Sequence, residues 1–333
     1  MRICTFSAIL SLLGIALFGA EMAVDLSMAI ENARSTRASK ELANAFKQLQ
    51  ESKSPDSSKV IAELLASEDR LEVLDPDGIG TISKSSLYAV LASLATSKDS
   101  LESSRIFLSA AKSKAFSPFD SGSGPQLGRS RAWLAAVGLI RTPTEEVIAV
   151  IEEQARENGC HRLEAIRALG RIGNRDAIGA LEAATGESPV FRANASIWVQ
   201  EFRDRPEVFQ YMAASYRACG EHAKWVLDAI LTRDVVVPQE PGGEAKKVPT
   251  YESIPNEHAR EYVEVLDGLL GSKESSEMPD AAKSRLKQIR DLMTKKAEDY
   301  RKPEKKLPPP PTPEPKDGKQ STPTTDDKKG EGK

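Results

Sequence analysis

Aromatic residues are scarce in this sequence, where Phe, Trp and Tyr together account for 5% of 333 residues. A β-sheet draws heavily on aromatic and β-branched residues, whereas the plentiful Ala and Leu of this chain favour helices. An excess of charge of one sign is also missing, since the formal net charge is −3. Broad nucleic-acid binding requires a basic face. The composition therefore predicts an all-α protein and argues against a nucleic-acid partner.

Histidine and cysteine are also rare, with three residues of each. The sequence has no Cys-x-x-Cys pair, no Cys/His cluster at zinc spacing, no phosphate-binding loop, no HExxH and no nucleophile elbow. None of His161, His222 and His258 has a partner at the spacing of a triad or a metal site. Solvated positions at helix starts are expected for His161 and His222. No catalytic or cofactor-binding residue is predicted, which favours a non-enzymatic role and leaves an enzyme as the alternative.

Only one long apolar run occurs, at the N-terminus. Met1 and Arg2 supply a positive charge, residues 3–20 are almost wholly apolar, and the run ends on Gly19 and Ala20. This order predicts a signal peptide over residues 1–20. Phe18 stands where a small residue is preferred for cleavage, so an uncleaved N-terminal membrane anchor is the alternative. We expect a protein that is secreted or located in the periplasm or cell envelope, without a membrane span after signal removal.

Proline and glycine divide the rest of the chain. Apolar residues at helical spacing predict a helical N-terminal region over 21–114 and further helices over 131–236 and 257–301. Clusters of Gly and Pro predict loops over 115–130 and 237–256. From residue 302 onward the chain has one Leu and no other sizeable apolar side chain, so it cannot bury enough surface to offset the entropy of ordering. Residues 302–333 are therefore predicted to form a disordered, Pro-rich tail.

A repeat is visible within residues 131–236. Apolar residues recur at positions i, i+1, i+3, i+4 and i+7, the stripe of a helix, starting from Trp133, from Ala165 and from Ala195, with Ser196 the one polar exception. The period is about 30–32 residues, and each copy is followed by a polar corner and a second apolar stripe. A less regular fourth copy begins at His222. Two short helices that recur at this period predict a solenoid, because one unit cannot bury its own stripe.

Individual residues of the repeat carry further predictions. Gly138 and Gly170 occupy equivalent places, which indicates that the first helices of successive units pack closely there. Asn174 and Asp204 fit the position of a cap before the second helix.

The unit RLEAIRALGRIGNRDAIGALEAA, residues 162–184, resembles a HEAT repeat of the short bacterial type first noted in phycocyanobilin lyases. The run Ala-x-x-Ala-Leu-Gly-x-Ile-Gly (Ala165 to Gly173) and the following Asp-Ala-Ile carry the resemblance, which covers roughly a third of the chain with the neighbouring units. It implies an α-solenoid. It does not imply lyase chemistry, because such repeats are mostly scaffolds that bind partners and a fold does not by itself define a function.

The repeat also bears on the cysteines that remain after removal of a signal peptide. Cys160 and Cys219 fall at junctions between units and lie two units apart. Packed helix layers are spaced about 8–10 Å, so the two sulfurs should be on the order of 16–20 Å apart, whereas a disulfide needs Cα atoms within about 7 Å. No intramolecular disulfide between Cys160 and Cys219 is expected.

A second, degenerate resemblance concerns residues 75–86, which look like the loop of an EF-hand. The resemblance implies a calcium site with ligands from Asp75, Asp77 and Ser83. Two positions depart from the pattern, because Ile79 offers no side-chain oxygen and Ser86 stands where a bidentate Glu is expected. The alternative is a helix–turn–helix corner in which glycines provide the turn.

Four arginines of the repeat unit allow two interpretations. They could line a basic groove, or they could lie on solvated helix faces beside glutamates such as Glu164 and Glu182. The four are Arg162, Arg167, Arg171 and Arg175.

Recognisable repeats without a catalytic constellation favour an exported, non-catalytic scaffold or adaptor. It would bind a protein partner through the inner face of the solenoid, formed by the second helices. The alternatives are a lyase or chaperone-lyase that holds a prosthetic group, and a weak calcium-responsive module. Neither the partner nor a protein-binding residue can be named from the sequence.

Overall fold

The structure is a computed structural model and describes residues 26–52, 54–75, 85–113, 116, 125–156, 161–186, 188–232, 234–237, 246–249 and 251–300. Helices dominate this part of the chain, so the predicted all-α class is confirmed. The helices are α1 (Leu26–Ser35), α2 (Ser39–Glu51), α3 (Pro55–Ala66), α4 (Glu68–Leu74), α5 (Ser86–Ala95), α6 (Ser100–Ala111), α7 (Pro125–Val137), α8 (Glu145–Arg156), α9 (Arg162–Ile172), α10 (Arg175–Thr185), α11 (Pro189–Val199), α12 (Pro206–Ala218), α13 (Ala223–Leu231), α14 (Ala259–Leu270) and α15 (Asp280–Asp299).

Shorter elements fill some of the connections. Three-residue 3-10 helices follow α11 at Gln200–Phe202 and α12 at Gly220–His222, and a longer one follows α14 at Lys273–Glu277. Strands β1 (Asp234–Val237) and β2 (Lys246–Pro249) pair antiparallel, with Asp234 opposite Pro249.

Packing contacts arrange the helices in two rows. The first-helix row consists of α2, α5, α7, α9, α11, α13 and α15, in which each helix contacts the next. The second-helix row consists of α3, α6, α8, α10, α12 and α14, again with each in contact with the next. Members of the two rows alternate along the chain, apart from α1 and α4, so helix pairs stack as the layers of a solenoid. The rows extend to both sides of residues 131–236, where the sequence shows the repeat.

The apolar stripes of the repeat lie in the core, as their spacing predicts. Ala165, Ile166 and Leu169 of α9 are fully buried, and so is Trp133 of α7, whose indole N–H donates to the carbonyl of Phe107 at 3.1 Å. Burial of an apolar side chain of this size contributes about 1.5–3 kcal/mol. A single helix pair cannot provide such burial on both sides, which is why the layers stack.

The first-helix row is packed closely at the two glycines that the sequence singles out. A Cβ atom on Gly138 would lie 3.1 Å from the Cα atom of Ala168 in α9. One on Gly170 would lie 2.7 Å from Cγ1 of Val199 in α11. The absence of a side chain therefore allows successive first helices to approach, and this prediction is confirmed.

The corner between α9 and α10 also follows its sequence. Gly173 ends α9 in the left-handed region, with φ at 57°, a conformation that costs other residues roughly 1–2 kcal/mol. Asn174 caps α10, because its Oδ1 accepts a hydrogen bond from the backbone N–H of Ala177 at 2.8 Å. The matching prediction for Asp204 is wrong. Because α12 begins at Pro206, one residue later than expected, Arg205 and not Asp204 occupies its N-cap position. The side chain of Arg205 makes no capping hydrogen bond.

Two predicted loops contain regular structure. The loop predicted over 115–130 is wrong beyond residue 124, because α7 begins at Pro125. Proline is well tolerated at the first position of a helix. In the next turn of α7, the buried guanidinium of Arg129 lies 3.4 Å from the carboxylate of Glu68. The loop predicted over 237–256 contains β2 and the end of β1; three consecutive valines in β1 suit a strand.

The predicted signal peptide and the predicted tail lie outside the described residues. Among the helices that the structure describes, none combines the length and the apolar character needed to cross a bilayer.

Candidate functional site

The calcium candidates are only partly within the described residues. Asp77 and Ser83 lie outside them. Asp75 follows the last residue of α4, where its backbone N–H donates to the carbonyl of Leu71 at 2.8 Å and its side chain is largely buried. In the part of the chain that the structure describes, no group of three or more His, Cys, Asp or Glu side chains is placed to hold a metal ion.

Three arginines of the repeat unit contact neighbouring layers and do not form a basic groove. Arg167 in α9 donates through Nε to Glu201 Oε1 at 2.7 Å, next to the end of α11. Arg171 donates to the carbonyl of Ala135 in α7 at 3.3 Å. Arg162 donates through Nε to the carbonyl of Ala155 at 3.0 Å, with its guanidinium 3.2 Å from the ring centroid of Phe191. Arg175 is exposed.

Other arginines make equivalent contacts along the first-helix row. Arg131 in α7 donates to Glu164 Oε1 in α9 at 2.8 and 3.0 Å, through Nη2 and Nε. Arg205 donates to the carbonyl of Ile172, the last residue of α9. These contacts join residues about one repeat apart in sequence, so they hold consecutive layers together.

Arg203 is the most buried of these side chains, with no exposed surface. Its Nη1 donates to the carbonyl of Ala229 at 2.6 Å and its Nη2 to that of Thr232, at the end of α13. The guanidinium lies 5.2 Å from the ring centroid of Tyr251, and burial lowers its pKa. It remains charged, because the pKa of arginine starts far above neutral pH. Its role is to join α11 to α13.

The second-helix row presents a different surface. The exposed residues of α8 include Glu145, Glu146, Ala149 and Glu153, and those of α10 include Gly179 and Ala183. A Cβ atom on Gly179 would meet nothing within 4 Å, so this face is open at α10. We call the exposed residues of α6, α8, α10, α12 and α14 the second-helix face.

Two of the acidic residues on this face have a local structural role. Glu145 and Glu146 stand in the first turn of α8, where the helix dipole favours negative charge. The pKa of Glu146 is lowered, mainly because its carboxylate accepts a hydrogen bond from its own backbone N–H.

The histidines and tryptophans divide between core and surface. The prediction of a solvated His161 is wrong: it is buried where α9 begins. His222 packs against Trp225 with ring centroids 4.8 Å apart, and Trp225 is 42% exposed. Trp198 is half-buried and packs edge-on against Phe191 at 6.0 Å.

Cys219 lies at the junction between α12 and the following 3-10 helix, as the repeat predicts. It is a buried, free thiol, and burial raises its pKa. This agrees with the prediction that it forms no disulfide with Cys160, a residue outside the described part of the chain.

A surface depression lies where the start of α2 meets α4. Its lining consists of Arg37, Ser39, Asp69, Glu72 and Val73. These side chains are polar apart from Val73, and none is aromatic. The depression therefore has little of the aromatic surface that would hold an extended prosthetic group.

No protein-family model, no curated protein and no solved structure matches the chain.

Proposed function

We propose that this chain is an exported, non-catalytic scaffold of HEAT-like repeats that binds a protein partner through the second-helix face. The observation that carries the proposal is the continuity of the second-helix row from α3 to α14. A stack of helices gives an extended surface to which successive layers each contribute one helix, and such surfaces suit an extended protein partner.

The chemistry of the face supports this assignment. Small exposed residues such as Ala149, Gly179 and Ala183 let a partner approach the helix backbones closely. The glutamates of α8 supply acceptors around them. The corresponding first helices have charged groups engaged with one another, through Arg131–Glu164 and Arg167–Glu201.

Site-specific photo-crosslinking tests the binding surface. A photoreactive amino acid is placed on the second-helix face at Ala149, at Ala183 or at Gln210, which lie on three successive layers. The matched control places it at Asp228, which is exposed on α13 of the first-helix row. The proposal expects the same partner to be joined from at least two of the three positions and not from Asp228. Equal adducts from Asp228, or none from any position in cells that produce the protein, would contradict it.

Export is tested separately. Cell fractionation and N-terminal sequencing of the isolated protein should find it outside the cytoplasm, beginning after Ala20. A mature protein that retains residues 1–20 in the membrane fraction would support the anchor instead, and a cytoplasmic protein would contradict both.

A further inference from the structure

The two helix rows differ in how their layers are joined. Across three successive boundaries of the first-helix row, guanidinium groups connect neighbouring layers. Arg131 and Arg171 join α7 to α9, Arg167 and Arg205 join α9 to α11 and the turn that follows it, and Arg203 joins that turn to α13.

The second-helix row lacks such connections in the part that the structure describes. Across the boundaries α8–α10, α10–α12 and α12–α14, the side-chain hydrogen bonds come from neutral tyrosines. Tyr211 Oη donates to Thr185 Oγ1 at 3.2 Å between α12 and α10. Tyr216 Oη of α12 donates to the carbonyl of Glu274 after α14 at 3.5 Å, and Tyr262 Oη of α14 donates to the carbonyl of Arg203 before α12 at 2.7 Å. No ion pair joins these described helices to one another. Hydrogen bonds that involve a charged group are roughly twice as strong as neutral ones, so the polar connections lie mainly on one side of the solenoid.

The first-helix row is also packed closely at two glycines. The backbone at Gly138 lies against that of Ala168, and the backbone at Gly170 lies against the side chain of Val199. Helices in such close contact have little room to tilt or slide, because a protein interior is close-packed and resists compression.

We infer that the first-helix row is the stiff side of this solenoid, and that the second-helix face opens and closes by bending about it. The arginine contacts fix the distance between layers in the first-helix row. Thermal bending therefore changes the spacing between layers mainly in the second-helix row. The use of this motion to fit a partner rests on the proposed function. The motion itself does not, and it can be measured on the protein alone.

Pulsed electron–electron distance measurements on the full chain test the inference. Spin labels are attached through a genetically encoded keto amino acid, which leaves the native cysteines unchanged. One pair replaces Ser93 and Asp228, on α5 and α13 of the first-helix row. The other replaces Ser109 and Glu264, on α6 and α14 of the second-helix row. All four residues are exposed, and each pair spans four layer boundaries, or roughly 32–40 Å at 8–10 Å per layer.

The second-row distance distribution should be at least about twofold wider than the first-row one, because displacement grows with distance from the pivot and packed helices are about 8–10 Å apart. Equal widths, or a wider first-row distribution, would overturn the inference.

A variant identifies the cause of the stiffness. The double substitution Arg131→Gln with Arg167→Gln should widen the first-row distribution. Arg156→Gln, which removes the ion pair with Glu152 inside α8, should not. Should the double variant fail to fold, the same measurement is made on the unsubstituted protein at raised ionic strength. The side chains of Arg131 and Arg167 are 41% and 45% exposed, so salt should screen their ion pairs and widen the first-row distance distribution. A first-row width that responds to neither change would refute the role of the arginines.

Discussion

Replacement of Gly170 by alanine tests the close packing of α9 against α11. The new Cβ would lie 2.7 Å from Val199 Cγ1, 3.0 Å from Val199 Cβ and 3.1 Å from Phe202 Cδ2. Val199 is fully buried, so the collision cannot be relieved by a flexible chain end at the surface. Overpacking of this kind costs about 1–3 kcal/mol.

The intrinsic helix preference acts in the opposite direction. Alanine is favoured over glycine inside a helix by about 0.8–1.0 kcal/mol. Gly170→Ala should therefore lower the free energy of unfolding by up to roughly 2 kcal/mol in net terms.

Gly179→Ala is the matched control, because Gly179 is inside α10 and a Cβ there meets nothing within 4 Å. It should raise the free energy of unfolding by about 0.5–1 kcal/mol. The two variants share the preference term, so their difference of about 1–3 kcal/mol isolates the packing contact.

Urea unfolding followed by far-ultraviolet circular dichroism measures this difference. Midpoints are comparable where the slopes of the transitions agree. If Gly170→Ala stabilises the protein as much as Gly179→Ala does, the close approach of α9 and α11 does not exist in solution and the reasoning fails.

Four further predictions concern single groups. Asn174→Ala should lower the stability by about 1 kcal/mol through loss of the cap of α10, whereas Asp204→Ala, which removes no cap, should have no comparable effect in the same urea assay. Burial raises the pKa of Tyr211 and of Tyr251 to about 12. Because the unfolded phenol ionises near pH 10, the free energy of unfolding should be constant below that pH and fall between about pH 10 and 12. A tyrosinate absorbance titration that completes near pH 10 without unfolding would contradict this. Cys219, buried with a raised pKa, should react with a thiol reagent only through local or global unfolding, so labelling of the native protein as fast as that of an exposed thiol counts against its burial. Calorimetry at millimolar calcium should detect no binding heat, given Ile79 and Ser86 in the EF-hand-like loop; a saturable heat that Asp75→Asn abolishes would reverse that expectation.

Local chemistry was readable from the sequence where one residue determines the geometry. Gly138 and Gly170 stand at equivalent repeat positions, and a Cβ atom there would lie 3.1 and 2.7 Å from the next first helix. Asn174 caps α10 because its short side chain reaches the backbone of the first turn.

The extent of the solenoid was not readable. The regular period holds only where the helix pairs are evenly spaced, and α4 together with the segment before α7 changes the spacing on the N-terminal side. Composition alone places Pro125 in a loop, because proline both breaks and begins helices and composition does not distinguish the two uses.

The arginine contacts of the first-helix row left a signal that was not recognised. Arg131 and Glu164 are 33 residues apart, and Arg167 and Glu201 are 34 apart, close to the repeat period. A search for opposite charges one period apart would have found both pairs. Arg167 and Arg175 are exposed, as the interpretation as a solvated face expects, but that interpretation considers glutamates of the same unit and so misses the pairing between units. The burial of His161 left no comparable signal, since polar residues at helix starts are usually solvated.

The arginine contacts also have a consequence for the order in which the chain folds. Each joins groups only about 25 to 36 residues apart, so no native contact of this kind waits for a distant part of the sequence. Chains with such local topology fold fast and can nucleate at any layer. During synthesis, α8 packs when α9 emerges, and the contact of Arg131 with Glu164 of α9 forms at the same stage. Folding should therefore advance along the chain, with each completed layer held by the one made after it.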